Sequence, residues 1–359
     1  MKGRKACRRG RNPGFLSLAV LALGLSIALF AALPGCGSQN AQPEVVVYVA
    51  VDRGDAEPIL REFEANSGVQ VRAVYDAEAA KTTGLVTRLL AESQSPRCDV
   101  FWNNEVIQTL LLADRGVLDA YVSPEAADIP ADLKDAEGRW TGVAMRARVI
   151  VYNTKYVPAE KAPRSLQDLI KPEWRSRAAI ANPQFGTTRA HAAALFAACG
   201  PEHAVEWFKA LLANEVRIVD GNAMVKNLVA RAKPGASPVY VGLTDTDDVL
   251  SGLADGDPIA MAFPDQDELG TLLVPSSVAL VRGAPHGEAA RRLIDYLVSR
   301  KVEAALTADG KGYLPVRPGS PRPKFISQAW PLKNMQATYA AIHDQLESSS
   351  QWTREHFHP

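Results

Sequence analysis

The sequence predicts an α/β protein whose mostly parallel strands are covered by helices on both faces. Three observations support this prediction. Strand-like and helix-like segments alternate from residue 44 onward, the strand-like segments are continuously apolar, and no repeat with a solenoid period occurs. The chain of 359 residues also exceeds the roughly 250–300 residues that one core usually serves, so two domains are expected.

The first domain starts with a buried strand and continues as a regular alternation. EVVVYVAVD is a continuous apolar strand, and AEPILREFEANSGV has helical spacing that ends at Gly68. The strand VQVRAVYD, the helix GLVTRLLAESQ and the strand CDVFWNN follow. Ligands bind beyond the carboxyl ends of such strands, so the polar residues there are candidate site residues. They are Asp52, Asp76 to Glu78, and Asn103 to Glu105.

The second domain repeats the alternation with other lengths. RARVIVYN is predicted as a strand and SLQDLI and TRAHAAALFAAC as helices, and the pattern continues through VRIVDG, MVKNLVARA, PVYVGLTD and PIAMAFP. A return strand, LLVPSSVALVRG, leads to the helix GEAARRLIDYLVS, whose length and apolar period make it the clearest helix of the chain. Two α/β lobes with crossing connections fit this order best.

The N-terminus is typical of an export signal. Six basic residues precede an apolar run from Phe15 to Leu33, which is followed by Pro34-Gly35-Cys36. This ending resembles the lipobox of bacterial lipoproteins, in which Cys36 is lipidated and becomes the mature N-terminus. The alternative is an uncleaved membrane anchor, since the apolar run is almost long enough to span a bilayer. With either anchor, the body is expected to be exported and tethered at the periplasmic or extracytoplasmic face of a bacterial membrane.

Charge and cysteine content narrow the class of protein. The chain has 40 basic and 40 acidic residues, and removal of the six basic residues before Cys36 leaves a net charge of −6. This mildly acidic balance argues against nucleic acid as a partner. Cys98 and Cys199 remain in the body. A single disulfide is one alternative, but their apolar surroundings favour two free thiols.

A series of segments resembles the periplasmic solute-binding proteins of ABC importers, and within them the iron(III)-binding branch. The matching segments, in the family's order, are VVVYVAVD, EFEANSGVQVRAVYD, CDVFWNNE, RARVIVYN, SLQDLIKPEWRSRAAIANP, GTTRAHAAALF and SSVALVRGAPHGEAARRLIDYLVS. The resemblance implies a monomer of the two-lobed type II fold, with the ligand cleft between the lobes. It also implies two hinge strands, near Val143 to Val149 and Leu272 to Val278, and a permease with its ATPase as partners.

The resemblance also implies domain boundaries. Residues 1–35 are the signal and residues 36–43 a tether. Residues 44–145 and 275–320 form the first lobe, and residues 146–274 the second. Residues 321–359 are expected to be a tail that packs on the first lobe.

The run Gly242 to Asp248, GLTDTDD, is the most acidic candidate for the site. Taken alone, it is typical of a solvated loop or a helix cap. The resemblance places Asp247 and Asp248 where iron-binding relatives have a Tyr-Tyr pair. It places Asp52 at a His ligand and Asn104 at a Glu ligand, with Glu105 as a neighbouring substitute, and Asp245 at an Asn that helps to hold an anion. The implied metal ligands are Asp52, Glu105, Asp247 and Asp248. The implied ligand-binding residues are Asp52, Asn104, Glu105, Arg146, Thr187, Thr188, Tyr240 and Asp245.

Clustered carboxylates in a cleft stay ionised only if a cation neutralises them. Their hard oxygen donors suit iron(III), calcium, magnesium or manganese, and the cation is expected as cargo, with no cofactor. Arg146, Arg148 and the helix starts at Gly186 to Thr188 and Lys81 to Thr83 would instead attract an anion. A cationic, zwitterionic or anionic organic solute is therefore the alternative ligand. A carboxylate-dependent hydrolase is less favoured, because no catalytic motif accompanies the acids.

Overall fold

The computed structural model describes residues 42–76, 82–235, 238–326, 329 and 331–357. The proposed signal, Cys36 and most of the tether lie outside these residues, as do Glu78 and Lys81. In the first half of the chain the elements are β1 (Glu44–Val49), α1 (Arg53–Ser67), β2 (Gln70–Tyr75), α2 (Thr83–Ala91), β3 (Val100–Asn103), α3 (Ile107–Asp114), β4 (Leu118–Asp119) and β5 (Thr141–Asn153).

The remaining elements follow the order expected from the sequence. They are β6 (Ala178–Ala181), α4 (Gly186–Cys199), α5 (Pro201–Ala213), β7 (Arg217–Val219), α6 (Asn222–Ala230), β8 (Val241–Asp245), α7 (Thr246–Ala254), β9 (Ile259–Ala262), β10 (Leu273–Val281), α8 (Gly287–Leu297), α9 (Arg300–Leu306), α10 (Tyr339–Asp344) and α11 (Leu346–His356). The 3-10 helices are Pro124–Ala126, Ala131–Leu133, Ala159–Lys161, Leu166–Ile170, Pro172–Trp174 and Lys324–Ile326. SLQDLI thus forms a 3-10 helix, which ends before Pro172 because a residue preceding proline avoids the α conformation.

The strands join into one mixed sheet with the order β2-β1-β3-β10-β5-β8-β6-β7. β1 is parallel to β2 and β3, and β6 is parallel to β7 and β8. β10 and β5 run antiparallel to their neighbours, because they carry the chain between the two halves. The prediction of mostly parallel strands in each lobe therefore holds for strands that are connected by helices. It does not hold for β5 and β10, which connect the lobes.

β5 belongs to both halves of the sheet. Its residues from Thr141 to Ala147 pair with β10, and those from Arg148 to Tyr152 pair with β8, where Arg148 lies opposite Asp245. All thirteen residues of β5 are buried. We define the first lobe as β1 to β4, β10 and the first part of β5, and the second lobe as β6 to β9 and the rest of β5. β5 and β10 are the two strands that the resemblance identified as hinges.

Helices cover the sheet on both faces, as the apolar strands predict. On one face, α1 and α8 bury Phe63, Leu293 and Leu297 against β1 and β10. On the other face, α2 and α3 bury Leu89 and Leu112. Each such side chain contributes roughly 1.5–3 kcal/mol by leaving water. The carboxyl ends of the strands are thereby held by two rigid layers of helices.

The C-terminal tail differs from its expected position. α10 contacts the first lobe through His343, whose Nε2 lies 2.8 Å from the Asp114 carboxylate. α11 instead packs on the second lobe, where Trp352 stacks on Phe208 with ring centroids 5.6 Å apart. Phe357 meets the same ring at 5.5 Å and is fully buried. The tail therefore follows the apolar surface of α4 and α5, and the expectation that all of it packs on the first lobe is wrong.

Two further expectations concern the cysteines and the membrane. Cys98 is buried, Cys199 is half-buried, and both are free thiols, which confirms that they do not pair. Within the described ranges, no helix combines the length and the apolar character that a bilayer crossing requires.

The packing of α11 leads to a prediction about stability. Replacing Phe357 by Ala should lower the free energy of unfolding by about 3–5 kcal/mol, because it removes a fully buried ring from the contact between α11 and α5. Urea denaturation measures the loss. Val122→Ala is the control, since that side chain is 76% exposed and should change stability by less than about 0.5 kcal/mol. Equal stability of the two variants would contradict the described packing.

Candidate functional site

The carboxyl ends of several strands meet between the lobes, at the side of the sheet where the polar residues were expected. They enclose a small cavity of about 30 Å³. From the first lobe, Asp52 follows β1 and Asn104 follows β3. From the second lobe, Asp220 follows β7 and Asp248 lies just beyond β8. Arg146 of β5 also lines the cavity, so both lobes and the hinge contribute to it.

The run GLTDTDD forms the end of β8 and the first turn of α7. A side chain at Gly242 would place its Cβ 2.4 Å from Val225 Cγ1 and 3.0 Å from the Ala179 carbonyl oxygen. Glycine thus lets α6 pack directly on β8. Asp245 ends the strand at the helix-cap position, but its side chain makes no capping hydrogen bond. The carboxylate points to the arginines of β5, so the helix-cap interpretation does not explain it.

Asp245 is fully buried and accepts hydrogen bonds on both carboxylate oxygens. Oδ1 accepts from Arg148 Nη1 at 2.6 Å. Oδ2 accepts from Thr187 Oγ1 at 2.7 Å and Asn222 Nδ2 at 3.0 Å, and lies 3.1 Å from Arg146 Nη1. Burial raises the pKa of a carboxylate, but the Arg148 and Arg146 guanidiniums outweigh it, so the pKa of Asp245 lies below its ordinary value. Asp245 is an ionised anchor for two arginines.

Asp247 and Asp248 lie in the first turn of α7, where the helix dipole favours negative charge. Asp247 is buried, and its Oδ2 accepts from Arg146 Nη1 at 2.9 Å. Asp248 is half-buried, and its Oδ2 accepts from Thr244 Oγ1 at 2.9 Å. One carboxylate oxygen from each of Asp245, Asp247 and Asp248 lies within 4.8 Å of the others. This spacing lets the group share one cation.

Arg146 and Arg148 are two residues apart in β5, so their side chains leave the same face of the strand. Arg148 is fully buried and bonded to Asp245 in the second lobe. Arg146 reaches in two directions, because its Nη2 donates to the Asn104 carbonyl oxygen of the first lobe at 2.8 Å. Burial lowers the pKa of Arg146, but Asp247 and Asp245 more than reverse this, so the guanidinium stays charged.

Thr187 and Thr188 lie in the first turn of α4, as the sequence indicated, and both line the cavity. Their hydroxyl groups are within hydrogen-bond distance of the guanidinium of Arg148, at 3.2 Å and 3.4 Å. The two threonines therefore position the arginine. His191, one turn later, is buried beside Arg148. Burial and the arginine charge lower its pKa to about 3, which keeps the imidazole neutral at pH 7.

Glu105 has a different role from the one implied by the resemblance. It is fully buried, and its two oxygens accept from the backbone N–H groups of Ile107 at 2.8 Å and Gln108 at 3.1 Å. Burial raises its pKa above the ordinary value. It therefore stabilises the start of α3 and does not line the small cavity. The structure gives Glu105 contacts at the start of a helix, and its assignment as a metal ligand stays a prediction.

Tyr240 also lies away from the site. It precedes β8, whereas the acidic residues follow β8, so a whole strand of five residues separates them. Its ring packs against that of Tyr156 in a tilted arrangement, with centroids 5.1 Å apart. The two rings line a different cavity, on the far side of the second lobe. The direction of β8 thus places Tyr240 at the opposite end of the strand from Asp245, away from the position that the resemblance implied for a ligand-binding residue.

Three residues of the site, Arg148, Asp220 and Asn222, were absent from the implied ligand-binding set. The sequence marked Arg148 only as a group that would attract an anion, although its period-two spacing from Arg146 places both on one face. Asn222 contacts Asp245 and also the Thr188 hydroxyl, at 3.3 Å. The sequence indicated Asn222 less clearly than Arg148, because Asp220-Gly221-Asn222 is only one of several polar segments that follow a strand.

The site carries an excess of negative charge. Five carboxylates and two guanidinium groups surround it: Asp52, Asp220, Asp245, Asp247 and Asp248, and Arg146 and Arg148. With His191 neutral, three negative charges are in excess. An adjoining cavity of about 400 Å³ shares Asp52 and Asp248 and is also lined by Asp247. Its lysines have acidic partners: Lys311 with Asp55 at 2.7 Å, and Lys226 with Asp257 at 3.6 Å. The local charge therefore favours a cation.

Comparison with known proteins agrees with this geometry. A family model described as bacterial extracellular solute-binding protein matches residues 95–331. The chain is 26% identical over 301 residues to Iron uptake protein A1 of Synechocystis sp., covering 82% of this chain and 81% of the relative. It is 24% identical over 322 residues to the Fe(3+)-binding periplasmic protein of Serratia marcescens, covering 89% and 90%.

Solved structures are similar over most of the chain. The ferric binding protein from Campylobacter jejuni matches with a TM-score of 0.76 and 21% identity, over 87% of this chain and 98% of that one. This similarity confirms the two-lobed α/β fold predicted from the sequence.

The buried position of Asp245 leads to a prediction about stability. Asp245→Asn should lower the free energy of unfolding by about 3–5 kcal/mol, because two buried guanidiniums lose their shared counter-charge. Asp248→Asn removes the same charge from a half-buried position and should cost about 1 kcal/mol or less. Urea denaturation at pH 7 distinguishes the two.

The control is to measure how the loss of unfolding free energy in Asp245→Asn depends on pH. The pKa of Asp245 is lowered in the folded state, so its contribution is complete above the ordinary carboxylate pKa near 4. It is lost as pH falls through the lower folded value. A deficit in Asp245→Asn that stays constant from pH 7 to about pH 2 would contradict the ionised pair.

Proposed function

The chain belongs to the family of bacterial extracellular solute-binding proteins, and from this premise we propose that it captures iron(III) or another small, multiply charged cation. The cation binds in the acidic cavity between the lobes and is delivered to an ABC permease driven by its ATPase. The cation is cargo, and the proposal includes no catalytic step and no cofactor. The observation that carries it is the group of Asp245, Asp247 and Asp248, with oxygens within 4.8 Å of one another at the boundary of the lobes.

The size of the cavity supports a metal ion. A volume of about 30 Å³ accepts an ion with one or two water molecules, since a single water needs roughly 10–15 Å³. A small organic solute would have to occupy the adjoining cavity, where both lysines are already paired with carboxylates. The charge excess and the cavity volume therefore both favour a metal cation over the organic alternative.

The donor atoms favour a hard metal. Carboxylate oxygens bind iron(III), manganese, magnesium and calcium, and Cys98 and Cys199 lie outside the small cavity. Two of the relatives carry iron in their names. The resemblance places a Tyr-Tyr pair at the position where this chain has Asp247 and Asp248. Carboxylates in place of phenolates lower the preference for iron(III) over divalent competitors, so we expect a broader metal range here.

Attachment to a membrane is the second part of the proposal. We infer that the protein is exported and held by a lipid on Cys36, at the periplasmic or extracytoplasmic face. The support is the order of the basic residues, the apolar run and Gly35-Cys36. A monomer tethered in this way stays close to its permease while its lobes move.

Replacing Asp248 by Asn should weaken the binding of iron(III) at least tenfold, because the cavity loses a charged oxygen donor. The loss corresponds to about 1.4 kcal/mol or more. Competition calorimetry with iron(III) nitrilotriacetate measures the affinity. Asp255→Asn is the matched control, since it removes the same charge from the exposed C-terminal end of α7. Equal affinity of both variants and the wild type would move the acidic group from the binding site to the scaffold.

The lipid anchor is tested by Cys36→Ser in the full chain. The substitution should abolish lipidation, so the protein no longer incorporates labelled fatty acid and its processing is blocked or its body leaves the membrane fraction. Cys199→Ser, which replaces a half-buried thiol of the body, is the control and should behave as wild type. Unchanged labelling and processing in Cys36→Ser would refute the anchor.

A further inference from the structure

Arg146 occupies the position of a cation at the centre of the site. Its Nη1 lies 2.9 Å from Asp247 Oδ2 and 3.1 Å from Asp245 Oδ2, and its Nη2 donates to the Asn104 carbonyl oxygen at 2.8 Å. One side chain on the hinge strand thus contacts carboxylates of the second lobe and the backbone of the first. The side chain is 4% exposed and lines the small cavity. It neutralises the acids and joins the lobes at the same time.

The guanidinium is not fully satisfied in this position. Among the described residues, Arg146 Nε is buried and has no hydrogen-bond acceptor. Buried donors nearly always have a partner, so a buried donor without one marks a position with a structural cost that a functional role can explain. Arg148 contrasts with it. Its Nε lies 3.5 Å from His191 Nδ1, and its Nη1 and Nη2 contact two threonines, Asn222 and Asp245. Arg148 is fixed, whereas Arg146 holds fewer contacts.

We propose that Arg146 is a specificity-determining residue: an internal cation that cargo must displace from Asp247, so that only a small, multiply charged cation binds. This inference rests on the proposed function. A monovalent ion replaces one positive charge by another and gains nothing, whereas a divalent or trivalent ion brings more charge to the same oxygens. The arginine therefore excludes a small monovalent ion, which would bring no additional charge to Asp247.

The same contacts imply a role in lobe closure. Without cargo, Arg146 supplies the link between the Asn104 carbonyl and the carboxylates of α7. With cargo, the metal supplies it, through Asp52 in the first lobe and Asp247 and Asp248 in the second. The cargo-free protein is therefore held partly closed by an internal contact, and its binding oxygens stay ionised before cargo arrives.

The test compares Arg146→Gln, Arg146→Lys and Lys311→Gln with the wild type. Gln removes the charge and keeps a donor for the Asn104 carbonyl. Lys keeps the positive charge but lacks the two Nη groups with which the guanidinium contacts both lobes. Lys311→Gln removes a charge from the adjoining cavity without touching the acids of α7, and is the matched control. Affinities for iron(III) nitrilotriacetate and for Mn²⁺ are measured at several NaCl concentrations, with thermal melts to verify folding.

The expected result is a tenfold or greater gain in affinity for both metals in Arg146→Gln, together with new competition by Na⁺. Arg146→Lys should keep the discrimination against Na⁺ and show no such gain, and Lys311→Gln should behave as wild type. A folded Arg146→Gln protein with unchanged or weaker metal affinity overturns the proposal, because the arginine would then support the site or hold an anion. An equal gain in Arg146→Lys also overturns it, because charge would not be the cause.

Solution scattering of the cargo-free proteins separates this inference from the proposed function. Both Arg146 variants should have a larger radius of gyration than the wild type, because the contact between the lobes is weakened. Failure of the wild type to bind either metal would refute the cation cargo, whereas the scattering comparison would still test the link made by Arg146. Identical scattering profiles of wild type and Arg146→Gln would refute that link.

Discussion

The buried contact between Asp245 and the two arginines of β5 is the interaction on which the site depends. It joins β8 to β5 at Arg148, where the long strand leaves the first lobe and enters the second. Three charged groups this deeply buried are tolerated only because each neutralises another and most of their polar atoms are hydrogen-bonded. Thr187, Asn222 and the backbone of β8 are positioned around them. The acids of α7 take their location from this cluster.

The sequence predicted the layered α/β fold because its signals are local. Continuous apolar strands, helical spacing and polar strand ends are all visible in short windows, and they placed Asp52 and Asn104 at one edge of the sheet. The resemblance to the family placed the GLTDTDD run at the cleft. Where the structure departs from the expected positions, the cause is a local helix cap or a tertiary contact. Glu105 turns to its own helix, and the direction of β8 places Tyr240 at the opposite end from Asp245. α11 packs on the second lobe because the apolar surface that it covers is formed only after folding.

The acidic run illustrates how two interpretations of one motif can both apply. Asp247 and Asp248 do occupy the first turn of a helix, where a negative charge is favourable without any ligand. Asp245 at the cap position makes no capping bond and turns to the arginines. A sequence pattern reveals the helix start but not the partner, because Arg148 is 97 residues away along the chain. The arginines, more than the acids, convert a helix start into a binding site.

In a charged site between two lobes, removing water from the charged groups costs free energy even before cargo binds. Asp52, Asp220 and Asp248 line a cavity of about 30 Å³, and Asp245 and Asp247 lie beside Arg146. These carboxylates repel one another, and closing the lobes on them removes the water that screens this repulsion. Protonation would relieve the repulsion, but protonated acids make poor metal ligands. Two guanidiniums on the hinge strand provide the other solution, since they keep the oxygens ionised and leave a net negative charge. Placing them on β5 couples that charge balance to the one element that both lobes share.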